Sequence, residues 1–463
     1  MFQRTFLAVF ILLIGLGPIA STQSEIPTSQ AQIQLSFAPL VKRAAPAVVN
    51  IYAKRIVQQN ISPFQNDPFF REFFKSFGNT RPRVQNSLGS GVIVSSDGIV
   101  VSNYHVVGQA QEIRVVLNDK REYSASVLLS DQGSDLAVLK LDSFDTMPFL
   151  TFRNSDTVEV GELVLAIGNP FGIGQTVTSG IVSGLARTGG GAGDGRGYFV
   201  QTDAPINPGN SGGALIDVKG DLIGINTSIL SKSGGSNGIG FAIPASLVQQ
   251  FVDQARQGKT SFQRPWAGIH GQELTAEVAQ SLGLTDVNGM FILEIHPQSP
   301  FSKSGFNVGD VITAIDDQPV SGPAEMYYRI SVRGIGATIN VMRFRDGSVD
   351  AVDVPLISAP DVPRSLIYTS NERGILPGVV LRLVNPMVQQ DMGLPNSASG
   401  IIVVDPGSVA PRIGLRAGDI IVAINGQALT NAKDFDDLLA SNLRRGQIVV
   451  NRGGDQIMLG FRL

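Results

Sequence analysis

The chain has 463 residues, enough for about three domains, and its 36 Lys+Arg against 39 Asp+Glu leave a net charge of −3, which excludes a polybasic nucleic-acid binder and offers no field for an anionic membrane. Hydrophobic residues make up 43% and charged residues 16% of the chain, so it can bury real cores and is not intrinsically disordered. Cysteine is absent, which removes disulfides, thiolate zinc sites, iron–sulfur clusters and Cys nucleophiles, and only His105, His270 and His296 can supply imidazole chemistry.

In chain order, Arg4, an apolar run over Phe6–Gly17 and the small residues around Ala20 read as a secretory signal over residues 1–22, with cleavage near Ala20 or Thr22. About 14 apolar residues fall short of the ~20 needed to span a bilayer, so export with no membrane span after cleavage is expected. Helical periodicity covers Ala31–Ala45. From Val48 to about Pro244 the text is strand-like, with 52 Gly and 25 Pro along the chain supplying turns. Gly91–Val101 places two apolar runs around Asp97-Gly98, a hairpin signature. Short runs follow at 112–117, 125–129, 137–141, 163–167, 175–183, 199–202, 214–216 and 222–227, a spacing that predicts an all-β sandwich or barrel. The segment Gln58–Ser87 breaks this rhythm with Asn, Gln and Pro around Phe64, Phe69, Phe70, Phe73, Phe74 and Phe77. Leu247, Val248, Phe251 and Val252 predict a helix after Pro244.

Beyond residue 260 the chain repeats itself. Gly309-Asp310-Val-Ile-Thr-Ala-Ile-Asp-Asp-Gln recurs as Gly418-Asp419-Ile-Ile-Val-Ala-Ile-Asn-Gly-Gln, and Pro297/Pro406, Ser299/Ser408 and Gly305/Gly414 fall in the same register. Identities in one register over about 100 residues describe a duplicated domain rather than a solenoid period. Each copy reads as strands, a turn and a short helix (Ala324–Ile330; Ala432–Leu439).

The sharpest chemical signal is Asp203-Ala-Pro-Ile-Asn-Pro-Gly-Asn-Ser211-Gly-Gly-Ala-Leu. Glycine permits positive φ and close backbone approach, so N–H groups can converge where a carbonyl oxygen becomes charged. Serine in such a loop is either a nucleophile or a turn hydroxyl; its company favours the first. His105 follows an apolar strand in Ser102-Asn-Tyr-His-Val-Val, and Asp135 precedes one in Gly133-Ser-Asp-Leu-Ala-Val-Leu. A serine hydroxyl needs a base, and the base needs a carboxylate to set its tautomer. Gly209-x-Ser211-x-Gly213 also satisfies the nucleophile elbow of α/β-hydrolases, but that fold demands Ser…Asp…His order and strands alternating with helices. The order His105…Asp135…Ser211 on a β-rich chain is that of chymotrypsin-like double barrels.

With Thr202-Asp-Ala…Asn-Pro-Gly-Asn-Ser-Gly-Gly-Ala-Leu, Ser134-Asp-Leu-Ala-Val-Leu, Ile239-Gly-Phe-Ala-Ile-Pro and the repeat in place, the chain from about residue 40 onward resembles the HtrA/Deg family of exported serine proteases with PDZ domains. The resemblance implies a mainly β molecule: a chymotrypsin-like double β-barrel protease domain over 35–260, with a regulatory loop at about 58–87, then two small mixed α/β PDZ domains over 264–358 and 366–463. It implies an ATP-independent, cofactor-free and metal-free periplasmic endopeptidase of misfolded or unfolded proteins that can also act as a chaperone. Ser211 would be the nucleophile, His105 the general base and acid, Asp135 the orienting carboxylate, and the N–H groups of Gly209, Asn210 and Ser211 the oxyanion hole. Ile206, Ile229 and Leu230 match the family's S1 pocket. Trp266, Ala267, Gly268 and Ile269 match the PDZ peptide-binding loop, where an extended peptide adds a strand and its terminal carboxylate meets backbone N–H groups. Leu376-Pro377-Gly378-Val379 is the second copy, with Pro377 lacking the N–H such a loop would use. The family assembles as homotrimers or multiples of them, with Phe37 a candidate contact; nucleic acid is not among its partners. A non-enzymatic chaperone retaining the shell is the alternative, which an intact His/Asp/Ser set disfavours.

Overall fold

The computed structural model describes residues 36–57, 83–142, 145–169, 174–187, 197–207, 209–229, 237–284, 288–440 and 445–462. The apolar runs before Pro244 become strands that close into two barrels, the second of the two options the spacing left open. β1 (Val48–Val57), β2 (Arg83–Ile93), β3 (Ile99–Ser102), β4 (Glu112–Val116), β5 (Glu122–Asp131) and β6 (Leu136–Leu141) form the first, in the order β1-β2-β3-β6-β5-β4, with β4 returning to pair with β1. β7 (Leu163–Gly168), β8 (Thr176–Arg187), β9 (Phe199–Thr202), β10 (Ala214–Asp217), β11 (Leu222–Ile229) and β12 (Gly240–Pro244) form the second, in the order β10-β11-β12-β9-β8-β7, with β7 closing on β10. Closure leaves neither sheet with an open edge.

The local reasons are those of the sequence. Gly98 turns the Asp97-Gly98 hairpin at φ +82°, and the Val94 N–H donates to the Ile99 carbonyl at 2.9 Å. In β4, Ile113 and Val115 point inward while their neighbours face water. β6 is buried at nearly every position, because one face lines the barrel and the other meets the helix Ala245–Arg256. That helix begins straight after Pro244 and buries Val248, Phe251, Val252 and Ala255, with the Phe251 ring stacked 3.9 Å from that of Phe262. The helical pattern read over Ala31–Ala45 appears as a helix at Ala38–Ala44.

One expectation changes at the first barrel. Residues 83–87 of the segment read as a loop are β-strand, paired from Val57↔Arg83 to Ala53↔Ser87, because the backbone continues the β1–β2 ladder past the polar composition. The phenylalanines of the insert lie at 58–82, outside the described residues, as does the expected signal segment 1–22.

Each repeat folds as a sheet flanked by a helix. β13 (Ile269–Glu273), β14 (Met290–Ile295), β15 (Val311–Ile315), β16 (Gln318–Pro319), β17 (Thr338–Arg345) and β18 (Ser348–Pro355) run in the order β13-β14-β15-β17-β18, with β16 on β15 and the helix Pro323–Arg333 alongside. β19 (Tyr368–Thr369), β20 (Val380–Leu383), β21 (Ile401–Asp405), β22 (Ile420–Ile424), β23 (Gln427–Ala428), β24 (Arg445–Arg452) and β25 (Asp455–Arg462) run β19-β20-β21-β22-β24-β25, with β23 on β22 and the helix Phe435–Ala440 alongside. The duplicated Gly-Asp has a structural task. Asp310 is buried and takes Arg345 Nε at 2.5 Å and Nη2 at 2.6 Å; Asp419 takes Arg452 Nε at 2.6 Å and Nη2 at 2.8 Å. Each arginine also donates to the carbonyl of the matched glycine, Gly305 or Gly414, at 2.7 Å. With a backbone N–H from Asn307 or Arg416, each at 2.8 Å, the bidentate pair satisfies a carboxylate that would otherwise be buried without a counter-charge.

The first repeat is fastened to the second barrel by the helix Pro323–Arg333. Tyr328 stacks on Tyr198 with ring centroids 3.9 Å apart and planes at 7°. Arg329, 8% exposed, reaches Asp156 at 3.1 Å and Glu325 at 2.6 Å. Burial, then the Glu325 charge, pushes Tyr198 up to about 12.

Candidate active site

The junction of the barrels collects the three residues singled out by chain order. Asn103 and the one-turn helix Tyr104–Val107 follow β3, so His105 leaves the first barrel at a turn. Asp135 ends the loop before β6 at φ +52°, a left-handed conformation that Asp tolerates better than most L-residues. Its carbonyl holds it there, accepting from the Tyr104 N–H (3.1 Å) and from Asn103 Nδ2 (2.9 Å). Its carboxylate faces the imidazole. Oδ1 accepts from the His105 N–H (3.0 Å) and lies 2.9 Å from Nδ1, while Oδ2 lies 2.8 Å from Nδ1. A carboxylate at Nδ1 requires the proton there and puts the imidazole lone pair on Nε2. Burial by itself would lower the basicity of His105; the Asp135 charge and hydrogen bond outweigh it, and the imidazole sits above its ordinary value.

Ser211 comes from the second barrel, in the loop before β10. Gly209 (φ +98°) and Gly212 (φ +81°) turn that loop in conformations closed to most side chains. At Gly212 a Cβ would also overlap the carbonyl oxygen of Ser90. Ser90, fully buried on β2, stitches the loop to the first barrel: its N–H donates to the Ser211 carbonyl (2.9 Å) and its hydroxyl to the Gly209 carbonyl (2.6 Å). The same hydroxyl accepts from the Asn169 N–H (2.7 Å), and the Ser90 carbonyl accepts from the Ser102 hydroxyl (2.8 Å). The loop that carries Ser211 is therefore positioned by hydrogen bonds from both barrels.

Thr227, on β11, joins the two halves of the cluster. Its hydroxyl donates to Asp135 Oδ2 at 2.6 Å, and its carbonyl accepts from the Ser211 hydroxyl at 3.1 Å. Sequence reading missed this role, although Asn226-Thr227-Ser228 stood beside the expected pocket; nothing in a single Thr separates a strand residue from a bridge. Ser90 was missed for the same reason.

The remaining expected residues divide. Among the described residues, the N–H groups of Gly209 and Ser211 have no acceptor, whereas the Asn210 N–H donates to the Asn207 carbonyl at 3.0 Å. The expected set of three donors thus narrows to two, because a tight turn uses the middle one. Ile206 is 2% exposed and packs in the core of the second barrel with Val164, Val182 and Leu215, beside Gly240, rather than standing at an open surface. Ile229 ends β11, and Leu230 lies outside the described residues. Trp266 is buried, its N–H donating to the Ile357 carbonyl (2.8 Å) and its ring 5.3 Å edge-on from His296. Ala267 is buried with its carbonyl accepting from the Ser299 hydroxyl (2.5 Å), and Gly268 takes φ +61°. Ile269 opens β13, the outermost strand of its sheet. His270 and His296 belong to this module, not to the barrel junction.

Two closed barrels meeting at such a junction define the class: a trypsin-like serine peptidase. The family described as "Trypsin-like peptidase domain" matches residues 89–225, and PDZ-domain families match 251–356 and 400–449. The chain is 34% identical to the periplasmic serine endoprotease DegP of Escherichia coli (strain K12), covering 99% of each chain. It is 35% identical to a probable periplasmic serine endoprotease, DegP-like, of Marinomonas sp. (strain MWYL1), covering 92% of this chain and 93% of that one. Among solved structures it is similar to the HtrA-type protease AlgW with decapeptide at 41% identity and a TM-score of 0.51, over 70% of this chain and 99% of that chain. The chain belongs to the HtrA/Deg family of serine endopeptidases with two PDZ domains.

Proposed function

We propose that this chain is a periplasmic, ATP-independent endopeptidase that cleaves unfolded or misfolded proteins by acyl-enzyme chemistry at Ser211, also holds them as a chaperone, and works as a homotrimer or a multiple of one. The observation that carries the chemistry is the Thr227 bridge, which ties the Asp135 carboxylate and the Ser211 hydroxyl to one residue. His105 Nε2 takes the Ser211 proton as Oγ attacks the scissile carbonyl, which requires the hydroxyl to turn from the Thr227 carbonyl toward the imidazole. The imidazolium is stabilised by Asp135, and His105 returns the proton to the leaving amine. The N–H groups of Gly209 and Ser211 receive the oxyanion, each worth about 3 kcal/mol in the transition state. Of the expected pocket residues, Ile229 and Leu230 favour Val, Ile or Ala before the scissile bond, since a basic side chain would lose its hydration there. Relatives named as periplasmic proteases and the leader-like residues 1–22 support export. C-terminal peptides add as a strand at β13 of the first PDZ domain.

A fluorophosphonate probe, applied with unfolded casein present, tests the core of this reading. Labelling confined to Ser211, lost in Ser211→Ala and sharply reduced in His105→Ala, is the expected outcome. Labelling elsewhere, or casein cleavage retained in Ser211→Ala, overturns it.

A further inference from the structure

The two PDZ domains differ at the strand that would receive a peptide. In the first, β13 is the sheet's outermost strand, and the Ile269 carbonyl accepts from the Tyr327 hydroxyl at 2.8 Å. In the second, the matching strand β20 already has a partner on that side: β19 runs antiparallel to it, with Tyr368 opposite Leu381 and Thr369 opposite Val380. The pairing continues one residue further. The Ser370 N–H donates to the carbonyl of Val379 at 2.8 Å, at the position equivalent to Ile269. The Ser370 hydroxyl accepts from the Val379 N–H at 2.7 Å and donates to the Leu376 carbonyl at 2.6 Å. An oxygen of Ser370 therefore sits on a loop N–H that a terminal carboxylate would use, and Ser370 is 2% exposed. From the other side Asp436, on the helix Phe435–Ala440, accepts from the Tyr368 hydroxyl and the Asn371 N–H, each at 2.8 Å. Burial and Asp436 push Tyr368 up to about 12, so its hydroxyl stays a donor at neutral pH.

We propose that Tyr368-Thr369-Ser370 is a built-in ligand of the second PDZ domain, filling its strand-addition groove so that peptides in trans are captured by the first domain alone. The proposal rests on the strand-addition reading of PDZ domains given above. The segment is joined to its groove by about ten residues, so it competes at an effective concentration in the millimolar range, far above that of a free peptide. A peptide must first displace it, and its apparent affinity falls by the fraction of time the groove is open.

The test uses full-length Ser211→Ala protein, which cannot consume the probe. The probe is a labelled heptapeptide of this chain's residues 364–370, Arg-Ser-Leu-Ile-Tyr-Thr-Ser, with a free C-terminal carboxylate. Binding is followed by anisotropy and the number of sites by calorimetry, for Ser370 intact, Ser370→Pro, and the double variant Tyr368→Ala/Ser370→Ala. Ser370→Pro removes both the N–H and the hydroxyl; the double variant keeps the backbone and settles the question should the proline unfold the domain. The expected result is one added site per chain in the folded variants, at least ten-fold tighter than any binding of the probe to that domain with Ser370 intact. Equal site number and affinity in all three proteins, or no added site in variants that unfold cooperatively, overturns the built-in ligand. Absence of binding at the first domain in every protein, with the added site still gained, removes peptide capture by the first domain and leaves the built-in ligand standing.

Discussion

The two PDZ domains share a sheet order, a flanking helix and the same buried Asp–Arg clasp, yet present opposite edges to a peptide. In the first, one side-chain hydroxyl from Tyr327 touches the acceptor on Ile269. In the second, a backbone strand, a serine hydroxyl and an aspartate hold three consecutive residues against the equivalent position. Duplication preserved what packs the core, while residues outside the repeated register decided what the groove contains. Freeing the Ile269 carbonyl from the Tyr327 hydroxyl breaks the bond between them, about 1 kcal/mol net; a tethered strand demands several at once.

The largest effect separates capture from cleavage. Ser211→Ala lowers hydrolysis of unfolded casein by about 10⁴-fold or more, while heptapeptide binding by the first PDZ domain stays unchanged. A binding change in that variant would mean the domains and the barrel junction are not separable.

Next comes the shared clasp. Arg345→Ala and Arg452→Ala each leave a carboxylate of 1–2% exposure without its cation and with the backbone N–H of Asn307 or Arg416, and each destabilises its own domain by about 3 kcal/mol, read by thermal unfolding with domain-specific proteolysis. Unequal losses would break the equivalence of the two cores.

A smaller effect reads the contacts of Asp135 with His105 and Thr227. Thr227→Val removes a hydroxyl bonded to a carboxylate and lowers kcat about ten-fold, with peptide binding untouched. Because the His105 imidazole sits above its ordinary 6.5, kcat/KM falls as pH drops through that raised value and imidazolium accumulates. The stability contribution has the opposite sign. A raised folded-state value stabilises fully below the unfolded value and is lost as pH rises through the folded one. Activity and this increment of stability therefore move in opposite directions across the same window, which stopped-flow rates and denaturant titrations at matched pH values check.

The smallest effect tests the first groove. Tyr327→Phe keeps the ring and removes the bond to Ile269, and tightens heptapeptide binding by the first domain about three-fold to five-fold. Weaker binding would mean that Tyr327 helps hold the peptide.

Much of the cluster was legible before folding. His105, Asp135 and Ser211 stood in apolar or glycine-rich surroundings that restrict the backbone, and their order selected one scaffold. The helix after Pro244 and the Asp97-Gly98 hairpin were equally local. Thr227 and Ser90 were not legible, because their importance lies in partners 92 and 119 residues away along the chain. Asn210 was misjudged as a third donor because a turn's internal hydrogen bond depends on φ and ψ at Gly209, which composition does not specify.

By itself the sequence determined the strand-rich halves, the duplication and the three candidate side chains of the site, since alternating burial, turn residues and repeat identities act over a few residues or in a fixed register. Only the tertiary structure decided which sheets closed, that Ile206 entered a core, and that residues 368–370 lie in the second PDZ groove. Those outcomes depend on which backbone donors and acceptors remain unsatisfied once distant strands have paired, and each such group, when buried, must find a partner wherever the fold brings one.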